Sequence, residues 1–96
     1  MYKPLPDCLT IMPSKIEGLG LFAIKQIGIG TTLGMTHYEL QDEPNGYLRT
    51  PLGGFINHSD NPNCELYNIG IKKFLVATKD IEPLEELTVT YTMYSV

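Results

Sequence analysis

Residues 53–64, GGFINHSDNPNC, combine turn residues with polar side chains in the middle of the chain. Asn57, His58 and Ser59 follow directly after two apolar residues and offer amide, imidazole and hydroxyl groups. An asparagine side chain both donates and accepts hydrogen bonds, so Asn57 could bind the amino-acid moiety of a ligand. The same pattern fits an Asx-turn, in which Asn57 and Asp60 bond to local backbone, next to a structural histidine. The residue types therefore indicate either a ligand-binding loop or a tight structural turn.

A second candidate segment covers residues 14–30, SKIEGLGLFAIKQIGIG. Gly18 and Gly20 flank Leu19, and a short apolar strand follows. Without a Cβ, such glycines let backbone N–H and C=O groups come close to a ligand, although the same spacing often marks only a turn. The segment is not a dinucleotide-binding fingerprint, because the third glycine and the strand-turn-helix context are both missing.

The third segment, residues 79–91 (KDIEPLEELTVTY), combines a proline turn, two acidic side chains and a strand that carries Tyr91. Pro83 should set the turn, and Glu85 and Glu86 are expected to face solvent or to pair with a base. A tyrosine at the end of a strand usually packs in the core or at its rim, but it can also act in catalysis. The residue alone does not decide between these roles.

Glycine and proline recur so often that these segments must lie on short strands rather than on long helices. The two longest stretches without either residue, 71–82 and 84–96, are rich in β-branched and aromatic residues. A hairpin is expected where Asn68 or Gly70 can adopt positive φ. The predicted strands are 8–12, 21–24, 31–37, 64–68, 71–78 and 84–96. Helix is limited to a turn or two near residues 46–50, so the predicted fold class is mainly β.

The length of 96 residues fits one domain with a single modest core. A formal net charge of −4, with only seven scattered Lys and Arg, argues against a nucleic-acid-binding surface, which needs a basic patch. The acidic surface suits a basic partner, although solvation alone is the simpler explanation. No run of about 18 apolar residues could span a membrane, and the first ten residues do not resemble a signal peptide. The sequence predicts a soluble intracellular protein, cytoplasmic or nuclear, that binds neither nucleic acid nor membrane.

Cys8 and Cys64 are far apart in sequence and lie outside any CxxC pattern. Their positions leave a disulfide open, and with His37 and His58 they provide zinc-ligand types, but the spacings match no zinc signature. A loop that binds metal through His58 and Cys64 is a minor alternative. No metal is expected.

Three motifs in this order resemble those of the SET-domain family of protein lysine methyltransferases. The resemblance extends over about residues 14–91, and the size is nearest to the minimal SET domains of viruses and bacteria. It rests on residues 18–23 (GLGLFA), 55–59 (FINHS), Pro62, Asn63, Asp80, Ile81, 85–88 (EELT) and Tyr91.

The resemblance implies a β-clip-like fold of small curved sheets, in which the C-terminal segment threads under a loop to form a pseudoknot. The polar loop would then hold this knot and border S-adenosylmethionine. By the same resemblance, the backbone of Gly18, Leu19 and Gly20 would line the amino-acid end of this cofactor. Asn57 would bind its carboxylate or amino group. His58 would bond the adenine through its main chain, while its ring supports the knot.

The implied reaction is methyl transfer from S-adenosylmethionine to the ε-amine of a lysine in a protein, with Tyr91 as the catalytic residue. Such chemistry needs no metal, but it needs an aligned, neutral amine. Tyr47 and Tyr94 are further candidates for the lysine channel, although core packing is the simpler role for Tyr47. The substrate is expected to be a histone-like or other basic protein.

The chain departs from many family members at Asp60, where they carry a zinc-binding cysteine. The sequence is therefore interpreted as one minimal SET domain over residues 1–96, without a pre-SET or a zinc-binding post-SET region. Few residues follow Tyr91 to cover the channel, so one hypothesis is a homo-oligomer in which a second subunit completes the site. The alternative function is a non-catalytic interaction or cofactor-binding module of the same fold.

Overall fold

A computed structural model describes residues 5–40 and 46–90 of the protein. Within these residues, strands predominate and the single helix is five residues long, which confirms a mainly β class with little helix. The elements in chain order are β1 (Leu9–Pro13), β2 (Leu19–Ala23), β3 (Thr32–Glu39), β4 (Tyr47–Arg49), α1 (Pro51–Phe55), β5 (Asn57–His58), β6 (Cys64–Ile69), β7 (Lys72–Ala77) and β8 (Glu86–Val89).

The strands form two four-stranded sheets. In the first sheet the order is β1-β2-β8-β5, and β8 runs antiparallel to β2 but parallel to β5. In the second sheet the order is β4-β3-β7-β6, and all neighbours are antiparallel. The first sheet therefore joins strands from the beginning, the middle and the end of the described chain.

The hairpin expected around residues 68–70 is confirmed. Strands β6 and β7 pair from Cys64 opposite Ala77 to Ile69 opposite Lys72, and Gly70 in the turn has a φ of +61°. A glycine adopts this left-handed conformation without the steric cost that a Cβ brings. The turn chemistry at residues 68–70 thus acts as the sequence predicted.

The position of the helix differs from the prediction. Residues 47–49 form strand β4, and the helix begins at Pro51. The Thr50 hydroxyl accepts a hydrogen bond from the Gly53 N–H, and Pro51 occupies a first-turn position that needs no N–H partner. Asn57 and His58 therefore follow a helix rather than a strand, and they form the two-residue strand β5.

The core lies along the buried faces of the strands and of α1. Leu21 on β2 and Leu87 and Val89 on β8 are fully buried, so the first sheet is anchored at its centre. The buried apolar side chains are Leu9, Leu21, Ala23, Ile27, Leu33, Leu52, Ile56, Cys64, Leu75, Ala77, Ile81, Leu87 and Val89. Residues 5–40 and 46–90 include no helix with the length and apolar character of a membrane span.

The predicted last strand is confirmed over residues 86–89, whereas residues 82–85 form a turn in which the Glu85 N–H donates to the Glu82 carbonyl at 3.1 Å. The strand β8 runs beside β5, which contains part of the polar loop. Residues 91–96 lie outside the described residues. The pseudoknot therefore stays a prediction.

Candidate active site

The three segments with candidate chemistry meet along strand β8. This strand lies between β2, which continues the glycine segment, and β5, which carries Asn57 and His58. The register places Phe22 opposite Glu86 on one side and Asn57 beside Thr88 on the other. Residues that are distant in sequence are thereby brought to one end of the first sheet.

The side-chain amide of Asn57 connects these segments. Its Nδ2 donates to the carbonyl oxygens of Glu17 and Leu19, at 3.2 and 3.3 Å, and to Oε2 of Glu86, at 2.9 Å. A reversed amide would direct Oδ1 at three acceptors, so the network determines the orientation. Among the described residues Oδ1 has no hydrogen-bond partner, so it can accept from a ligand. The Asx-turn interpretation is wrong for Asn57, because its backbone partners are distant in sequence.

The carboxylate of Glu86 anchors the glycine segment. Ser14 Oγ donates to it and lies 2.8 Å from each carboxylate oxygen, and the Ile16 N–H donates to Ser14 Oγ at 2.9 Å. The Ser14 N–H donates to the Gly18 carbonyl at 2.8 Å, which closes the turn. The expectation that Glu86 faces solvent or pairs with a base is wrong, because its neighbours are the neutral donors Ser14 and Asn57.

Two glycines in this segment have different functions. A Cβ at Gly20 would overlap the Glu86 carboxylate and lie 3.1 Å from Asn57 Nδ2, so only glycine leaves room for that contact. Gly18 has a φ of +48°, and a Cβ there would meet no atom within 4 Å. Gly20 therefore permits the internal hydrogen bonds. Gly18 shapes the turn and leaves open space beside the backbone.

The loop after β5 holds the end of β8 mainly through backbone. The Ser59 N–H donates to the Val89 carbonyl at 2.9 Å, and Thr90 Oγ1 donates to the Ser59 carbonyl at 2.7 Å. The imidazole of His58 is half exposed, with Nε2 at 3.1 Å from Oδ1 of Asp60. These backbone and hydroxyl contacts hold Val89 and Thr90 against the loop that follows β5.

Asn63 is a residue whose role the sequence did not reveal, although it belongs to a motif that carries the resemblance. It is buried, and its Nδ2 donates to the Glu86 carbonyl at 2.8 Å and to Oε2 of Glu85 at 3.2 Å. Its Oδ1 accepts from the Thr88 N–H at 2.9 Å. A buried amide with this many partners stabilises one arrangement of the backbone around β8. The sequence signalled Asn63 only through its place in that motif, beside Pro62 and directly before a predicted strand.

Of the three tyrosines predicted to act in the reaction, the structure describes only the backbone of Tyr47. Tyr91 and Tyr94 lie outside the described residues, so their roles stay predictions. Tyr47 begins β4, an edge strand of the second sheet, where it pairs with Glu39. The backbone of Tyr47 thus belongs to a different sheet from Asn57.

The cysteines considered as metal ligands do not lie in a metal-binding cluster among the described residues. Cys8 and Cys64 are free thiols. Burial, with a smaller contribution from the charge of Glu85, raises the pKa of Cys64 to about 12 and opposes the thiolate that a metal would need. Within residues 5–40 and 46–90, no group of three or more His, Cys, Asp or Glu side chains could hold a metal ion.

A groove of about 380 Å³ lies on the second sheet. None of the predicted site residues lines this groove. Its lining residues are Gly30, Thr32, Tyr67, Ile69, Phe74 and Val76.

Solved structures with the same fold include methyltransferase domains. A proposed histone methyltransferase of Plasmodium falciparum gives a TM-score of 0.71 at 20% identity, covering 91% of this chain and 95% of that chain. The methyltransferase domain of human PR domain-containing protein 2 gives 0.71 at 19% identity, covering 92% and 79%. The SET domain of the RIZ1 tumour suppressor gives 0.69 at 20% identity, covering 96% and 74%. Identities this low establish a shared fold and no more.

The family is established by the sequence itself. A comparison with curated protein sequences finds no significant match. The SET-domain sequence profile, in contrast, matches residues 41–92, which is more than half of the chain and includes Asn57, His58 and Glu86. The profile match and the observed fold agree with the three sequence motifs, and the chain belongs to the SET-domain family.

Proposed function

We propose that this SET domain transfers a methyl group from S-adenosylmethionine to the ε-amine of a lysine in a protein substrate. The proposal rests mainly on Oδ1 of Asn57, which faces outward because Nδ2 donates to the carbonyl oxygens of Glu17 and Leu19 and to the Glu86 carboxylate. An amide oxygen close to a carboxylate suits the α-ammonium group at the amino-acid end of the cofactor. Of the two groups predicted for Asn57, carboxylate or amino, this acceptor favours the amino group.

The neighbouring backbone also fits this cofactor. Space is open beside Gly18, so the backbone near Gly18, Leu19 and Gly20 can approach a ligand without hindrance from a Cβ. We expect these groups to hold the amino-acid end. The main chain of His58, next to β8, would hold the adenine.

When bound, S-adenosylmethionine supplies an electrophilic methyl group on its sulfonium sulfur. The lysine nitrogen must lose its proton before it attacks, and a narrow channel would help because desolvation lowers the pKa of an amine. The protein contributes alignment of the amine with the methyl group, which is a proximity effect. We assign this orienting role to the hydroxyl of Tyr91. The Thr90 hydrogen bond to the Ser59 carbonyl would steady the segment that leads to Tyr91.

The proposed substrate is a lysine-bearing segment of a histone-like or other basic protein. The formal net charge of −4 favours approach of a basic partner. Tyr47 and Tyr94 remain candidates for the channel.

We also propose that a second copy of the chain completes the site. Light scattering at the working concentration tests this, and full activity of a strictly monomeric protein would contradict it.

Calorimetric titration with S-adenosylmethionine tests the cofactor site. We expect saturable binding by the wild type and at least about tenfold weaker binding by Asn57→Ala, because a hydrogen bond to a charged group is lost. Asn61→Ala is the matched control, since Asn61 belongs to the same loop but its side-chain Oδ1 accepts from Lys79 Nζ, at 3.2 Å, instead of contacting the glycine segment. Circular dichroism must show that both variants are folded. Equal binding by Asn57→Ala and the wild type would contradict the proposed role.

Transfer itself is tested with lysine-rich peptides and the Tyr91→Phe variant. We expect the transfer rate to fall by at least about tenfold in this variant, because an orienting group is removed while cofactor binding is retained. An unchanged rate would exclude the role of the hydroxyl. If the wild type binds the cofactor but modifies no peptide or lysate protein, the non-catalytic module becomes the better description.

A further inference from the structure

We infer that Glu86 is a positioning residue that preforms the ammonium subsite and gives it a negative charge, an inference that rests on the proposed function. Oε2 of Glu86 accepts from Asn57 Nδ2 at 2.9 Å, and both carboxylate oxygens lie 2.8 Å from Ser14 Oγ. Asn57 would bind the ligand through its other amide atom. Glu86 therefore acts through a neighbour that touches the ligand.

The hydrogen-bond partners of this carboxylate do not offset its charge. Its two side-chain partners, Ser14 and Asn57, are neutral. Across residues 5–40 and 46–90, no lysine, arginine or histidine forms an ion pair with it. Glu86 is half-buried, so its field is screened less than that of an exposed carboxylate. A cation that approaches Oδ1 of Asn57 is therefore favoured over a neutral or anionic group.

The carboxylate is one of three acceptors that set the orientation of Asn57. With Glu86 in place, Nδ2 donates to Oε2 as well as to the carbonyl oxygens of Glu17 and Leu19, and Oδ1 faces outward. A glutamine at position 86 could direct its own NH₂ group at Nδ2. Two donors would then face each other, and the displaced amide would hold Oδ1 less well for the ammonium group.

Steric fit holds the carboxylate in this position. A Cβ at Gly20 would overlap the carboxylate, so glycine is required at this position of β2, where the Glu86 side chain lies against the backbone. Ser14 fastens the other side, because it accepts from the Ile16 N–H while it donates to the carboxylate. The Glu86 carboxylate thus contacts both the turn at residues 14–18, through Ser14, and the amide of Asn57.

The chain offers a matched control in the adjacent residue. Glu85 is exposed, and its carboxylate accepts from Asn63 Nδ2 at 3.2 Å and from the Glu82 N–H at 3.0 Å. It forms no hydrogen bond with Ser14 or Asn57. Glu85→Gln and Glu86→Gln remove the same charge one residue apart, and only the second should alter the ammonium subsite.

The test measures dissociation constants for S-adenosylhomocysteine and for its analogue that lacks the α-amino group. The wild type should prefer the amine-bearing ligand. Glu86→Gln should weaken binding of that ligand by at least about tenfold and of the analogue by less than about threefold, because only the amine uses the charge. Glu85→Gln should change both by less than about threefold. If Glu86 had a purely structural role, Glu86→Gln would instead weaken the binding of both ligands by the same factor.

The possible outcomes test the proposed function and the role of Glu86 separately. If the wild type binds neither ligand, the proposed function fails. If it binds both and Glu86→Gln keeps the wild-type preference, only the inference about Glu86 fails. If Glu86→Gln does not fold, Ser14→Ala takes its place, because it leaves the charge but frees the carboxylate from the turn. Folded Ser14→Ala should bind S-adenosylhomocysteine at least about threefold more weakly, and unchanged binding would overturn the positioning role.

Discussion

Single residues around the site are constrained by the space for a Cβ and by their backbone angles. Gly20 leaves room for the Glu86 carboxylate, and Gly18 adopts a positive φ that glycine tolerates. Leu84 is an exception, because it adopts a φ of 70° with a β-carbon. It follows Pro83 in the turn that leads into β8, and its side chain is 71% exposed. The left-handed backbone of Leu84 therefore costs free energy of folding, and its exposed side chain contributes little burial to offset this cost.

Replacing Leu84 by glycine should stabilise the protein. The left-handed conformation costs a non-glycine residue about 1–2 kcal/mol, and the extra chain entropy of glycine removes about 0.5–1 kcal/mol of that gain. We expect the free energy of unfolding to rise by about 0.5–1 kcal/mol in urea titrations. Ile29→Gly is the control, since Ile29 is similarly exposed but has no positive φ. A loss of stability equal in both variants would contradict this account.

At the scale of elements, the short helix α1 decides where the polar loop begins. Thr50 caps it, and the helix packs against β3 through Gly53. A Cβ at Gly53 would overlap the Thr36 carbonyl and lie 3.1 Å from His37 Cε1. A Cβ at the adjacent Gly54 would meet nothing within 4 Å. The two glycines of the helix thus differ in the space for a Cβ: Gly53 faces β3 closely, whereas Gly54 faces open space.

This pair makes a direct test of the helix packing. Gly53→Ala should lower the free energy of unfolding by about 1–3 kcal/mol, because the helix must move away from β3. Gly54→Ala should leave it unchanged or raise it by up to about 1 kcal/mol, since alanine favours helix over glycine. Thermal and urea unfolding of both variants provide the measurement. Equal effects at the two positions would mean that α1 does not pack on β3 as closely as described.

At the scale of the whole molecule, the second sheet buries a histidine among cations. His37 is 1% exposed, its Nδ1 lies 2.9 Å from Thr36 Oγ1, and it pairs in register with Arg49 and Lys73. Burial, and then the charges of Arg49 and Lys73, lower the pKa of His37 to about 4. The folded protein therefore keeps this imidazole neutral where the unfolded chain would protonate it.

The low pKa of His37 predicts an acid-sensitive fold. Above pH 6.5, the model-peptide value, the histidine is neutral in both states and its contribution is constant. As the pH falls from 6.5 to about 4, the unfolded state binds the proton first, so up to about 3 kcal/mol of stability is lost. Urea unfolding of His37→Gln across this range should show a smaller pH slope than the wild type. A pH slope in His37→Gln equal to that of the wild type would contradict this account.

Local patterns in the sequence were sufficient for the mainly β class, for the hairpin at Gly70 and for the family. These features depend on neighbouring residues: β-branched runs, a glycine that adopts positive φ, and motifs in a given order. The helix was misplaced by a few residues, because Gly53 and Gly54 disfavour a helix locally and only the Thr50 cap and packing on β3 show why it forms there. Tertiary contacts outweigh propensity in such a short element.

The chemistry of the site was only partly determined by the sequence. It identified Asn57, His58 and the glycine segment as candidates, but it did not show which amide atom of Asn57 faces outward. It also did not reveal that Glu86 bonds to Ser14, 72 positions earlier, or that Asn63 holds the backbone of β8. Hydrogen bonds between distant positions leave no local pattern, because a partner's identity depends on how the strands pair. The sequence by itself therefore determined the family and the candidate residues, and only the tertiary structure decided how those residues hold one another.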